Sequence, residues 1–227
     1  GHEIHVFTSD RRGAEVLKNK SEVYDGIHIH RYRTLFRYKY YFFYNIGMLL
    51  DVLRHNLDIL HFHNIGHPQW DAILLATRLL KKTKCLNTPH GNFFARIEKS
   101  FGGKILKTIY RMWEFPFNRL YHAGIQVNQL QREWLPEYGF RKKLFYVPDG
   151  IPSERFKKVD NSEFLERHGL KGKFVICNLG RLLPYKGLDH MVKILPDILK
   201  QHSEIVFLSM GPDRGDLSRL KNLAKEL

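Results

Sequence analysis

Short apolar runs alternate with longer amphipathic stretches along almost the whole chain. Runs near residues 3–8, 27–31, 58–62, 84–88, 124–128, 144–147, 173–179 and 204–209 read as strands, and 41–55, 69–82, 104–122, 129–138, 188–201 and 214–226 read as helices. Strand and helix in alternation predict an α/β protein built on doubly wound parallel sheets. The strands Ile59-Leu-His-Phe62, Ile125-Gln-Val127 and Phe174-Val-Ile-Cys177 are short and mostly apolar, as expected of strands covered on both faces. In such sheets ligands sit beyond the carboxyl ends of the strands, which directs attention to the residues that follow each apolar run.

The alternation is interrupted at Tyr146-Val-Pro-Asp-Gly-Ile-Pro152, where two prolines and a glycine precede the charged segment Ser153 to Arg167. A domain boundary is expected there, giving domains 1–152 and 153–227. The second domain contains only two clear strands, too few to close a covered sheet, and is expected to be only partly present. No internal repeat or low-complexity tract interrupts either part.

Composition narrows the class without choosing it. With 227 residues and 43% hydrophobic content the chain can bury a substantial core. Its 37 Lys and Arg against 23 Asp and Glu give a net charge of +14, which favours an anionic partner: a phosphorylated substrate, an acidic membrane surface or nucleic acid. The two cysteines, Cys85 and Cys177, both fall within apolar strands and are expected to be buried thiols in a reducing compartment. The opening Gly-His-Glu leads straight into a strand, unlike a secretory signal. The apolar run Tyr41 to Leu50 is too short to span a bilayer.

The most informative stretch is Phe174-Val-Ile-Cys-Asn-Leu-Gly-Arg-Leu-Leu-Pro-Tyr-Lys-Gly-Leu188. It places Arg181 and Lys186 in a loop bounded by Gly180 and Gly187, between an apolar strand and an amphipathic helix. Gly180 would let the chain turn off the strand, Gly187 would let backbone approach a ligand, and the helix start would offer unpaired N–H groups to an anion. Arg brings a planar fork and Lys a mobile point charge, so the two can share a diphosphate. Solvated charges on an ordinary turn are the bland alternative.

His61 and His63, two apart at the end of a strand, project from one face toward the ligand edge. With His67 and His90 nearby they suggest a zinc cluster, although Asn64-Ile65-Gly66 lacks the acid that would orient a metal-bound water. Packing against the neighbouring loop and polar contact with a substrate are the other readings. In Thr88-Pro89-His90-Gly91 the proline ends a strand and leaves His90 at its rim, where a neutral imidazole can hydrogen-bond a sugar hydroxyl or cap the next segment.

Taken together, Gly1-His-Glu-Ile-His-Val-Phe-Thr8, Asp58-Ile-Leu-His-Phe-His63, Thr88-Pro-His-Gly91, Val147-Pro-Asp-Gly-Ile151 and Gly180-Arg-Leu-Leu-Pro-Tyr-Lys-Gly187 resemble, in order and spacing, a retaining glycosyltransferase of family 4. The resemblance implies a GT-B fold of two Rossmann-like domains facing a cleft, the N-terminal one on the acceptor side and the C-terminal one binding the nucleotide sugar. It implies that Gly180, Arg181, Lys186, Gly187 and Gly211 hold the donor diphosphate and that His90 contacts the transferred sugar. His61, His63, Asp149 and Gly150 would line the acceptor side. Arg181, Lys186 and His90 would serve catalysis, with neither a metal nor another cofactor required.

The chain departs from the family pattern in places. Asp149 stands where Asn is usual before the hinge glycine, and Ser209-Met210-Gly211-Pro212 keeps one glycine of a loop that usually has more. A glycine-rich loop expected before Gly1 and a downstream Glu-x7-Glu segment are both outside the sequence, so the chain is expected to be part of a longer catalytic unit and inactive alone.

The acceptor side is read from charge and aromaticity. Arg31 to Tyr44 contains four cations, eight aromatics and no acid, a composition that suits a membrane interface. Lys99, Lys104, Lys107 and Arg111 at helical spacing add a second basic surface, with Lys81, Lys82 and Lys84 elsewhere. A cytoplasmic protein, peripheral on the membrane face and using a lipid-linked or envelope-glycan acceptor, is the expectation. The alternatives are a basic membrane- or nucleic-acid-binding module, a zinc hydrolase built on His61, His63 and His90, and a GT-B epimerase or phosphorylase. Nucleic acid is the weaker partner, since no RNA-binding aromatic signature is present.

Overall fold

Strand pairing in the first half follows the apolar runs, with additions that the pattern did not announce. In the computed structural model, residues 1–12, 15–18, 20–38, 42–91 and 101–227 are described. They divide into two compact units, Gly1–Gly150 and Ile151–Leu227.

The first unit opens with β1 (Ile4–Ser9), a short hairpin of β2 (Arg11–Arg12) and β3 (Glu15–Val16), then β4 (Ser21–Tyr24) and β5 (Ile27–Tyr32). β5 pairs in parallel with β1 and antiparallel with β4, giving a three-stranded sheet in the order β1-β5-β4. A second hairpin, β6 (Phe36–Tyr38) with β7 (Phe42–Tyr44), stands where the helix near 41–55 was expected to begin. Aromatic residues favour extended pairing, so α1 (Ile46–Arg54) starts only after Asn45. Residues 39–41 of the basic aromatic stretch lie outside the described residues, as does Lys99.

Next come β8 (Ile59–His63), α2 (Pro68–Leu80), β9 (Lys84–Thr88), α3 (Phe101–Asn118), β10 (Ala123–Gln126), α4 (Gln131–Trp134) and β11 (Leu144–Tyr146). The four strands form an all-parallel sheet in the order β11-β10-β9-β8. The helix expected over 129–138 is instead α4 followed by a 3₁₀ turn at Leu135–Tyr138, closed by Gly139 in the left-handed region. Along β8 burial alternates, with Leu60 and Phe62 inside and Ile59, His61 and His63 exposed. Among the described residues, β8 is therefore covered on one face, not two.

That buried face joins Met48 and Val52 of α1, Ile73 and Leu74 of α2, Cys85, Tyr121, Leu135 and Phe140 in one core. Leu74 has no solvent exposure; truncating such a residue to alanine typically costs about 2–5 kcal/mol. The core fixes the carboxyl ends of β8 and β9 on a rigid base.

The second unit contains α5 (Ser162–Arg167), β12 (Phe174–Leu179), α6 (Leu188–Gln201), β13 (Ile205–Met210) and α7 (Leu217–Glu226). β12 and β13 pair in parallel, Ile176 opposite Phe207 and Cys177 opposite Leu208. Phe207 packs against a cluster of Leu182, Leu188 and Leu220 with Val192 and Leu217. Period two therefore turns Cys177 to the opposite face, where it is exposed. This corrects the expectation of two buried thiols: Cys85 is buried, and burial pushes its pKa up to about 11, with Arg78 opposing.

Candidate active site

At the carboxyl edge of the first unit's parallel sheet, β8 and β9 run in register with His61 opposite Leu86 and His63 opposite Thr88. Side chains two apart share a face, so the rings of His61 and His63 lie 4.6 Å apart. His90, two residues beyond β9, stacks on His63 at 5.2 Å with planes 10° apart, and His63 Nδ1 is 2.8 Å from His90 Nε2. His61 Nε2 lies 2.7 Å from the Thr88 hydroxyl. The three imidazoles form a ladder.

Partial burial of the rings is the first cause that lowers the pKa of both His61 and His63. Repulsion among the ladder imidazoles adds to it, while the Asp149 carboxylate partly offsets the effect at His63. The sequence-predicted residues His61, His63, His90 and Asp149 are therefore brought together. Neutral imidazoles can both donate and accept hydrogen bonds, which is what a hydroxyl needs. His61 is engaged by Thr88 and His63 by His90. Gly150 is exposed at the end of this unit.

Several supporting residues carry no local sequence signal. The Gln131 side chain accepts from the Val127 N–H at 3.0 Å and donates to the Pro89 carbonyl, tying the end of β10 to the segment that presents His90. Asn87 donates to the Asn64 carbonyl at 2.8 Å, and Asn64 N–H to the Thr88 carbonyl at 2.9 Å, so the loop after β8 is sewn to β9. Trp70 Nε1 donates to the His63 carbonyl at 3.2 Å.

Beneath that loop lie two buried carboxyls. Asp71 accepts from Trp113 Nε1 at 2.9 Å, and Glu114 accepts from Gly66 N–H and from Asn118. Burial, and then the negative charge of Asp71, raise the pKa of Glu114; burial likewise raises that of Asp71. At the carboxyl ends of β10 and β11, Gln126, Gln129, Arg132, Glu133 and Tyr146 line an open cavity of about 460 Å³.

In the second unit the loops that follow β12 and β13 are zipped together. Gly180 N–H donates to the Met210 carbonyl at 2.8 Å, Leu182 N–H to Pro212 at 3.1 Å, and Arg214 N–H back to Leu182 at 3.1 Å. Gly211 has φ +147°, and a Cβ there would sit 2.0 Å from the Gly180 carbonyl oxygen. Only glycine fits. At Gly180 a Cβ would meet nothing within 4 Å and φ is not positive, so the requirement for glycine at the turn falls on position 211.

Between the two glycine ends, Pro184–Lys186 makes a 3₁₀ turn closed by Gly187 at φ +70°. The Tyr185 side chain stands between the two cations: its hydroxyl is 3.5 Å from an Arg181 guanidinium nitrogen, and Lys186 Nζ lies 5.3 Å from its ring centre. Arg181 and Lys186 are exposed and presented on one turn. The helix start supplies fewer free donors than expected: His190 N–H is bonded to the Gly187 carbonyl at 3.1 Å, and the Asp189 carboxylate takes its own N–H. That acid is answered by Arg219 at 3.6 Å and Lys193 at 3.8 Å.

Residues 1–155 match the sequence profile of Glycosyltransferase Family 4, and residues 160–227 that of Glycosyl transferases group 1. The chain belongs to glycosyltransferase family 4. Among its family relatives, the gpi3 subunit of phosphatidylinositol N-acetylglucosaminyltransferase from Schizosaccharomyces pombe is 29% identical over 97% of this chain and 47% of its own length. An uncharacterized glycosyltransferase of Methanocaldococcus jannaschii is 24% identical over 72% of this chain and 45% of its own length. The chain thus spans about half the length of the curated relatives it matches.

Solved structures show the same GT-B fold. Anabaena HepE in complex with UDP-glucose superposes with TM-score 0.59 at 16% identity, covering 89% of this chain and 53% of that one. The Escherichia coli trehalose-6-phosphate protein bound with UDP-2-fluoro glucose gives TM-score 0.58 at 12% identity, covering 98% and 61%. In this family 4 chain, no helix among the described residues is long and apolar enough to cross a membrane.

Proposed function

We propose that this protein transfers a sugar from a nucleoside-diphosphate sugar to an acceptor hydroxyl with retention of anomeric configuration, in the synthesis of a glycolipid or an envelope or exopolysaccharide glycan. The observation that carries the reading is the turn in the second unit, where zipped glycine loops present Arg181 and Lys186 on either side of Tyr185. The hard step of such a transfer is charge separation. As the anomeric C–O bond breaks, negative charge grows on the departing diphosphate, and preorganised cations stabilise it more than the bound ground state. One such contact is worth about 3 kcal/mol, roughly a hundredfold in rate.

The departing phosphate takes the acceptor proton on the same face of the sugar, so the reaction calls for no protein nucleophile. His90 and its neighbours in the ladder hydrogen-bond sugar hydroxyls. Arg181 and Lys186 supply the positive charge that a divalent ion would otherwise bring to the diphosphate. Support for the donor class comes from the UDP-glucose complex of HepE, and for a lipid-linked acceptor from the gpi3 relative.

A peripheral membrane position on the cytoplasmic face belongs to the same reading. α3 leaves Phe101, Ile105, Ile109, Met112 and Trp113 exposed beside Lys104, Lys107 and Arg111, the mixture that favours an anionic interface.

Calorimetric titration of UDP-, GDP- and ADP-sugars into the protein in EDTA tests the donor site. One donor is expected to bind without metal and to weaken roughly tenfold or more in Lys186→Ala. Binding of a donor that is indifferent to Lys186 would refute the diphosphate assignment.

A further inference from the structure

Away from the ladder, three histidines from three elements of the first unit converge. His5 lies on β1, His30 on β5, and His55 is the residue that ends α1; one ring nitrogen of each lies within 4.8 Å of the others. The parallel register sets His5 opposite His28 and Phe7 opposite His30, so these side chains share one face of the sheet. On that face His55 stands edge-on to His5 at 5.1 Å, to His30 at 5.3 Å and to Phe7 at 5.2 Å.

The hydrogen bonds around the cluster decide which nitrogens carry lone pairs. His55 Nδ1 is 2.8 Å from the Asp51 carbonyl oxygen and must donate to it, leaving the lone pair on Nε2. His5 Nε2 is 3.1 Å from the Glu3 carboxylate and donates there, leaving the lone pair on Nδ1, which accepts from His30 Nε2 at 3.0 Å; a metal ion would take the place of the proton between those two nitrogens. A carbonyl or carboxylate behind the imidazole is what orients metal-binding histidines. Two nitrogens held about 2.0–2.1 Å from a tetrahedral ion sit about 3.3 Å apart, close to the His5–His30 separation. Three imidazoles without an acidic ligand suit zinc and its neighbours better than magnesium or calcium.

We infer that His5, His30 and His55 bind one zinc-class divalent ion that clamps the end of α1 onto β1 and β5, with a fourth position left for water. The fourth histidine, His28, stacks on His5 at 4.9 Å but is not part of the ligand group.

The test is calorimetric titration of zinc chloride into tag-free, chelator-stripped protein, with metal content read by mass spectrometry. One equivalent is expected to bind to the wild type and to His28→Ala, while His55→Ala loses at least a hundredfold in affinity. Glu3→Gln, which removes only the carboxylate behind His5, is expected to lose roughly 10–100-fold. No saturable equivalent in the wild type, or wild-type affinity in His55→Ala, overturns the site. Should His55→Ala fail to fold, Glu3→Gln decides through its exposed position: weakened binding supports the site and unchanged binding overturns it. A single equivalent that is lost in His63→Ala and kept in His55→Ala would assign the ion to the ladder and likewise overturn it.

Discussion

Gly211→Ala is the substitution whose consequence the second unit specifies most closely. The new Cβ would stand 2.0 Å from the Gly180 carbonyl oxygen and 2.6 Å from its carbon, both backbone atoms that cannot rotate away. Relieving the contact requires the two loops to part by about 1 Å, on top of holding alanine in a conformation worth about 1–3 kcal/mol of strain. Parting stretches the Gly180-to-Met210 and Leu182-to-Pro212 hydrogen bonds, each worth about 1 kcal/mol. Strain and lost bonds together come to about 3–5 kcal/mol, and the substituted unit is expected to open that much more readily. Gly180→Ala, whose Cβ meets nothing within 4 Å, is the matched control and should leave the loops closed. All three tryptophans, Trp70, Trp113 and Trp134, lie in the first unit, so their fluorescence is blind to this change. The assay is amide hydrogen exchange over 174–182 and 205–216. Exchange there should accelerate by more than tenfold in Gly211→Ala, since about 1.4 kcal/mol is a factor of ten, and should not change in Gly180→Ala. Equal protection in both variants would refute the argument that the loops are locked through position 211.

The carboxyl pair beneath the loop that follows β8 and the apolar face of α3 give two further expectations. Glu114, with an unfolded value of 4.5 and a folded value raised by burial and by Asp71, keeps a proton in the folded state that the unfolded chain releases. Its contribution is fully present below the unfolded value and is lost as pH rises toward the folded one, with a slope of up to about 1.4 kcal/mol per pH unit. Glu114→Gln should therefore flatten the fall in unfolding free energy between pH 5 and 7, leaving the same-signed part due to Asp71; parallel denaturation curves for variant and wild type would count against a protonated Glu114. Anionic vesicles in physiological salt should bring the protein down on centrifugation, and Ile109→Glu with Met112→Glu should leave it in the supernatant. Equal sedimentation of variant and wild type would sink the membrane reading of α3.

What could be read from the sequence was what depends on neighbours along the chain. The helix expected over 188–201 is Leu188–Gln201, because its apolar spacing and the left-handed Gly187 before it are local features. His61 and His63 were expected on one face for the same reason, and β8 places them so. Features set by distant partners were not legible. The apolar stretch at Phe42–Tyr44 is equally at home in a helix or a strand, and pairing with Phe36–Tyr38 decided it. Cys177 sits in an apolar run, yet which face of β12 the helices cover is settled only in three dimensions. The need for glycine at 211 arises from the carbonyl of Gly180, thirty-one positions earlier.

The two candidate binding surfaces also differ in the kind of hydrogen bonding they offer, and the difference matches the two halves of a nucleotide sugar. A diphosphate accepts hydrogen bonds and carries charge, and on the function proposed above the turn at Arg181–Lys186 would answer it with permanent cations that only donate. A sugar hydroxyl must both donate and accept. In the first unit burial and mutual repulsion hold His61 and His63 in the neutral form, the one state in which an imidazole has a donor and an acceptor together. Protonating the ladder would remove its acceptors and add charge where no phosphate is expected. Packing the histidines against each other, with one carboxylate at Asp149 to moderate the effect on His63, is thus a way to keep that surface uncharged in a protein whose net charge is +14.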